Sequence, residues 1–137
     1  MTTGTVTQRA EAVRDRYHAM FGAVPSGIED RLSVAQAAGR LDAVEAIEAL
    51  RQALLTNNPL EPRVQQLVHF GQLLALDRAA PARLHARGAL RAGASTADLV
   101  GVGETALVTS GMPAYSLGIE IIAELLRAED SKADQEP

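Results

Sequence analysis

Residues 60–118 read LEPRVQQLVHFGQLLALDRAAPARLHARGALRAGASTADLVGVGETALVTSGMPAYSLG, and this stretch decides the fold. Val64, Leu67, Val68, Gly71 and Leu74 recur at the i, i+3, i+4 spacing of a helix face, and Pro62 falls in the first turn, where its missing N–H costs nothing. A second helix is framed by Asp77 and Pro81 and ends at Gly93. A third opens at Ser95-Thr-Ala-Asp98, a capping box with Asp in place of the usual Glu, and closes at Gly111 and Pro113. From Leu99 to Val108 that third helix is apolar or small on every side except at Glu104. A helix that is apolar all round is normally buried all round, which in so short a chain requires a second subunit. The expectation is therefore an obligate oligomer.

The same period continues on both sides of this stretch. Thr5 or Thr7 is placed to cap a helix with Val6, Ala10, Val13, Tyr17 and Phe21 on one face, ended by Gly22, with His18 off the centre of the stripe. Ile28, Leu32 and Ala35 define the next helix, stopped at Gly39. Asp42 is positioned to cap another, with Val44, Ile47, Leu50 and Leu54 as its buried stripe, before the breakers of Thr56-Asn-Asn-Pro59. After Pro113 a last helix carries Tyr115, Leu117, Ile121, Ile122 and Leu125. No alternating pattern suggests a strand. The chain reads as one all-α domain of about six to seven helices over 1–128, followed by a charged, frayed tail over 129–137.

Composition narrows the chemistry. With 137 residues and no cysteine, disulfides, thiol nucleophiles and thiolate metal sites are excluded. A formal charge of −4 and the lack of any Lys/Arg run give no surface for nucleic acid. No apolar run approaches the roughly 20 residues of a membrane span and the N-terminus has no apolar signal core, so a soluble cytoplasmic protein is expected. Chemistry is expected within 60–118, which holds His69, His85 and the lone mid-helix carboxylate Glu104. Five glycines inside helices, at 71, 88, 101, 103 and 118, cost about 1 kcal/mol each relative to Ala and so point to close helix approach or to room for a ligand.

Leu60-x-Pro62-Arg63, Leu84-His85-x-Arg87-x-Ala89-Leu90, the turn Ala92-Gly93-Ala94-Ser95-Thr96, and Gly111-x-Pro113-Ala114 occur in an order that resembles the carboxymuconolactone decarboxylase family, which includes the alkylhydroperoxidase-D-like proteins. The resemblance covers about sixty residues. It implies an all-helical fold assembled as a homotrimer or a hexamer of two trimers, with sites near subunit contacts. The peroxidase branch carries a Cys-x-x-Cys pair before the histidine, where this chain has Arg78 and Pro81. That branch also has a glutamate nineteen residues before the histidine. Here the position is Gln66, which can hydrogen-bond but cannot take a proton near neutral pH. A thiol peroxidase is therefore excluded, and the Leu-His-x-Arg segment is more similar to the decarboxylase-like branch, whose members use no metal or organic cofactor.

The expected function is a cofactor-independent, non-redox lyase or isomerase. It would decarboxylate, isomerise or cyclise a small oxygenated substrate, a lactone or an oxo acid, with a tailoring step on a secondary metabolite as a variant. His85, then His69, are the candidate proton carriers, with Glu104 as a base or as the group that orients a histidine. Arg87 suits a substrate carboxylate, and Gln66, Thr109 and Tyr115 can supply neutral hydrogen bonds. Each has a plainer reading as well: a satisfied structural histidine, a Glu104 paired with an arginine across an interface, an Arg87 paired in the same manner, a packed tyrosine. His69, His85 and Glu104 also make a 2-His-1-carboxylate set, but without two histidines a turn apart on one helix no metal is expected. The alternative from another class is a non-catalytic ligand-binding or scaffold oligomer that kept the fold.

Overall fold

The computed structural model describes residues 4–135, and all its regular structure is helical: α1 Val6–Phe21, α2 Ser26–Ala38, α3 Leu41–Leu55, α4 Pro62–Ala75, α5 Ala79–Arg91, α6 Thr96–Ser110 and α7 Met112–Gln135. The chain divides into two compact units, Met1–Pro59 and Leu60–Pro137, where the sequence suggested one domain. No helix among the described residues is long and apolar enough to cross a membrane.

In the first unit, Thr5 caps α1 by accepting from the Gln8 N–H, and the Gln8 side chain accepts from the Thr5 N–H in return. Gly22 and Gly39, at φ of 80° and 67°, end α1 and α2 in the left-handed conformation that glycine adopts without strain. Ala10, Val13, Tyr17 and Phe21 are buried as their spacing predicts, as are Ile28, Leu32 and Ala35, whereas Val6 is exposed. α3 departs from expectation. It begins at Leu41 after Arg40, so Asp42 lies in the first turn and pairs with Arg9 instead of capping. Its buried residues are Leu41, Val44 and Glu48, while Ile47, Leu50 and Leu54 are exposed. Glu48 sets this rotation. Its Oε1 accepts from the Tyr17 hydroxyl at 2.8 Å and from Arg31 at 3.3 Å, and Arg51 lies 3.6 Å from Oε2, with its guanidinium 5.4 Å from the Tyr17 ring centroid. A buried carboxylate is tolerated when it is paired in this way. Burial, followed by the bond to Glu48, pushes the Tyr17 phenol above its ordinary pKa.

The second unit is built on α4 and α5, which pack along their lengths, and the fully buried apolar side chains of α5 are the small ones of Ala82, Ala86 and Ala89. Phe70 and Leu74 of α4, Leu99 and Ala106 of α6, and Ile121 and Ile122 of α7 complete the core. Three helical glycines permit the approach. A Cβ on Gly118 would lie 3.1 Å from Leu74 Cδ1 and 3.6 Å from the Cα of Gly103, and one on Gly71 would lie 3.1 Å from Val102. A Cβ on Gly101 would instead meet open space. Arg83 clamps α5 to α7 through two hydrogen bonds to Glu124, at 2.9 and 3.1 Å.

α6 starts on the expected box, with Ser95 Oγ accepting from the Asp98 N–H at 3.0 Å and Asp98 Oδ2 accepting from the Ser95 N–H at 2.9 Å. That backbone bond is the main reason the Asp98 carboxyl sits below the ordinary aspartate range. Ser95→Ala is expected to destabilise this unit by about 1 kcal/mol, measured by urea unfolding. A loss under a few tenths would mean the box contributes nothing.

At its far end α7 runs on through the segment expected to fray, to Gln135. Every residue from Leu126 to Gln135 is exposed, so no core contact holds this extension. Glu129, Lys132, Ala133 and Gln135 lose little on entering a helix, while Asp130, Ser131 and Asp134 are poorer helix residues. Residues 136 and 137 of the expected tail lie outside the described residues.

Candidate functional site

α4 carries apolar side chains on two faces, and the structure uses both. The predicted stripe of Val64, Leu67, Val68, Gly71 and Leu74 is only partly the core face: Val68 is exposed, while Gln66, Phe70 and Leu74 are buried. The face turned away from α5 forms one wall of a groove of about 680 Å³, with α6 as the other wall. Val64, Val68, Gly71, Gly101 and Val102 give it an apolar lining, and Gln72, Asp98, Thr105 and Thr109 are its polar members.

The α4–α5 side holds the titratable cluster. Gln66 is buried, and its Oε1 lies 2.7 Å from Nδ1 of His85, nineteen residues later. An amide oxygen only accepts, so the His85 Nδ1 carries the hydrogen and donates it. In the neutral ring Nε2 is then the nitrogen with the lone pair. His69, one turn after Gln66 on α4, lays its ring against that of His85, with centroids 4.4 Å apart and planes inclined by 27°. His69 Nε2 is sealed from solvent, and both rings are half-buried. Repulsion between two imidazolium rings at this separation disfavours the doubly charged pair.

Of the seven residues singled out in the sequence, the structure therefore brings three together: Gln66, His69 and His85. The other four stand elsewhere in the protomer. Glu104 is exposed on α6, and Arg87 is exposed on α5, two residues beyond His85 and so on another side of the helix. Thr109 is exposed in the groove, donating to the Thr105 carbonyl at 3.4 Å. Tyr115 is half-buried on α7, its ring passing Gly103 of α6. Among the described residues no group of three His, Asp or Glu side chains is arranged to hold a metal ion, so Glu104 does not join the histidines as a ligand set. Glu48 was missed altogether, because its partners Tyr17 and Arg31 lie 31 and 17 residues away and no local pattern links them.

Comparison with curated proteins gives no match. Among solved structures, the chain is similar to a carboxymuconolactone decarboxylase candidate from Burkholderia xenovorans LB400, with a TM-score of 0.76 over 97% of this chain and 100% of that one. The two are 18% identical, so this likeness speaks for the fold alone. The model of the carboxymuconolactone decarboxylase family matches residues 42–124, from the first turn of α3 to the middle of α7, and takes in Gln66, His69 and His85. With more than half its length matched in this way, the chain belongs to the carboxymuconolactone decarboxylase family.

Proposed function

We propose that this protein is a cofactor-independent, non-redox lyase or isomerase that moves a proton on a small lactone or oxo acid, with His85 as the proton carrier. The observation that supports this most is the 2.7 Å contact between Gln66 and His85, which leaves Nε2 as the basic nitrogen of a ring buffered against a second imidazole. In the proposed step Nε2 takes a proton from carbon next to a carbonyl, and the electron pair moves onto the carbonyl oxygen. In isomerisation the proton then returns to a different carbon. In decarboxylation no proton is taken first: the bond to the carboxylate breaks with its electron pair moving onto the carbonyl oxygen, and carbon dioxide leaves. The protonated ring, reprotonated from solvent each turnover, then delivers a proton from Nε2 to the vacated carbon. The developing oxyanion needs a donor, and a substrate carboxylate needs a cation. Tyr115, Thr109 and Arg87 are assigned those roles, with Glu104 and His69 as the groups that adjust charge around the site.

Arg87, Glu104 and Thr109 stand on the protomer surface, and we place them at contacts between copies in a trimer or hexamer. The exposed apolar side chains of α6 and its neighbourhood, Leu107, Val108 and Met112, support such an assembly. A second reading, a ligand-binding oligomer without turnover, is favoured by the groove between α4 and α6, whose lining is mostly apolar.

Proton abstraction is visible without knowing the product. In deuterium oxide, a panel of small lactones and 2-oxo acids should include at least one whose carbon-bound hydrogen exchanges faster with the protein than without it, followed by proton NMR. Melting points raised by panel members, with no exchange or product for any of them, would favour the binding reading instead.

A further inference from the structure

We infer that Gln66 is a positioning residue that holds His85 in one tautomer and makes it a carrier that loads and unloads its proton at a single nitrogen. The inference deepens the acid–base reading above and rests on it for its relevance to turnover, but the tautomer itself can be observed independently of any substrate.

Three observations carry it. Gln66 is buried on α4, so its amide oxygen cannot turn to water and needs a protein donor. His85 Nδ1 is at 2.7 Å, a short hydrogen bond for a neutral pair. His69 covers one face of the imidazole, and a ring stacked at 4.4 Å cannot swing away from Gln66 without breaking that contact. A histidine side chain in water favours the opposite tautomer, with hydrogen on Nε2, so the fold must impose this one.

The amide also ends any relay. When Nε2 accepts a proton, His85 becomes an imidazolium with hydrogens on both nitrogens. A carboxylate at position 66 would be able to take the Nδ1 proton onward, but a carboxamide cannot near neutral pH. The proton bound at Nε2 must therefore leave from Nε2. Such a carrier suits reactions in which the proton returns to the substrate. Isomerisation by transfer between two carbons of one molecule is the reaction class it fits best.

The test reads the nitrogen resonances of the His85 ring in the full-length protein by long-range proton–nitrogen correlation NMR, at a pH where the ring is neutral. Wild type should show Nδ1 in the hydrogen-bearing range and Nε2 in the lone-pair range. Gln66→Leu, which removes the acceptor at similar volume, should shift the population toward hydrogen on Nε2. Gln66→Glu should keep the wild-type pattern, because a carboxylate also accepts from Nδ1. Wild-type spectra with hydrogen on Nε2, or an unchanged pattern in Gln66→Leu, would overturn the inference. The wild-type spectrum decides even if the leucine variant unfolds. The observed pattern without hydrogen exchange in any substrate would leave the positioning intact and reject the reaction proposed for it.

Discussion

Turnover of a responsive lactone or oxo acid is expected to fall by about 100- to 10,000-fold in His85→Asn, the range by which a positioned acid–base group accelerates proton transfer. Asparagine is the informative replacement. Its amide nitrogen lies near the place of imidazole Nδ1 and can still donate to Gln66, so the buried amide keeps its partner. What the variant lacks is a nitrogen that binds and releases a proton near neutral pH. His85→Ala should lose as much activity and also cost stability, about 1–3 kcal/mol, because truncation leaves the Gln66 carbonyl buried without its donor. Progress curves and urea unfolding measured on both variants separate the two effects. A rate in His85→Asn within threefold of wild type would reject the ring as proton carrier, whatever the alanine variant does.

The sequence shows where helices begin and end more readily than which way they face. Capping boxes at Thr5 and Ser95 and left-handed glycines at 22 and 39 are local devices, complete within four or five residues, and each stands where its spacing indicates. The orientation of α4 is a different problem. Val64, Leu67, Val68, Phe70, Leu73 and Leu74 spread over more than one face, so periodicity alone allows more than one core. The choice is made by the core that Phe70 and Leu74 share with the alanines of α5, and by Gln66, which must be inside to meet His85. α3 follows the same logic. A stripe of Ile47, Leu50 and Leu54 looks like the buried face until Tyr17 and Arg31 supply partners for Glu48 and draw the helix round. The candidate site was legible to the extent that its members share a helix turn, as Gln66 and His69 do, or a family spacing, as Gln66 and His85 do. Glu104 stood out as a lone carboxylate among apolar residues, yet in the protomer it simply faces outward.

Phe70→Ala and Val108→Glu together test the two-faced character of the second unit. Phe70 has no exposed surface and lies next to His69 in the sequence. Its truncation is expected to cost about 3–5 kcal/mol, from lost burial and from the cavity left between α4 and α5. A denaturant midpoint that barely moves would mean that α4 does not present this face to the core. Val108 is the opposite case. At 85% exposed it makes almost no contact in the protomer, so a charge there should change protomer stability by no more than about 0.5 kcal/mol. If α6 meets another copy of the chain, as proposed, the same carboxylate would be carried into an apolar contact without a partner, at a cost large enough to break the assembly. Light scattering after size exclusion should then report a trimer or hexamer for wild type and a monomer for Val108→Glu. An assembly of unchanged mass in Val108→Glu would show that subunits meet elsewhere, and Glu104, on the same helix, would lose its proposed place at a shared site.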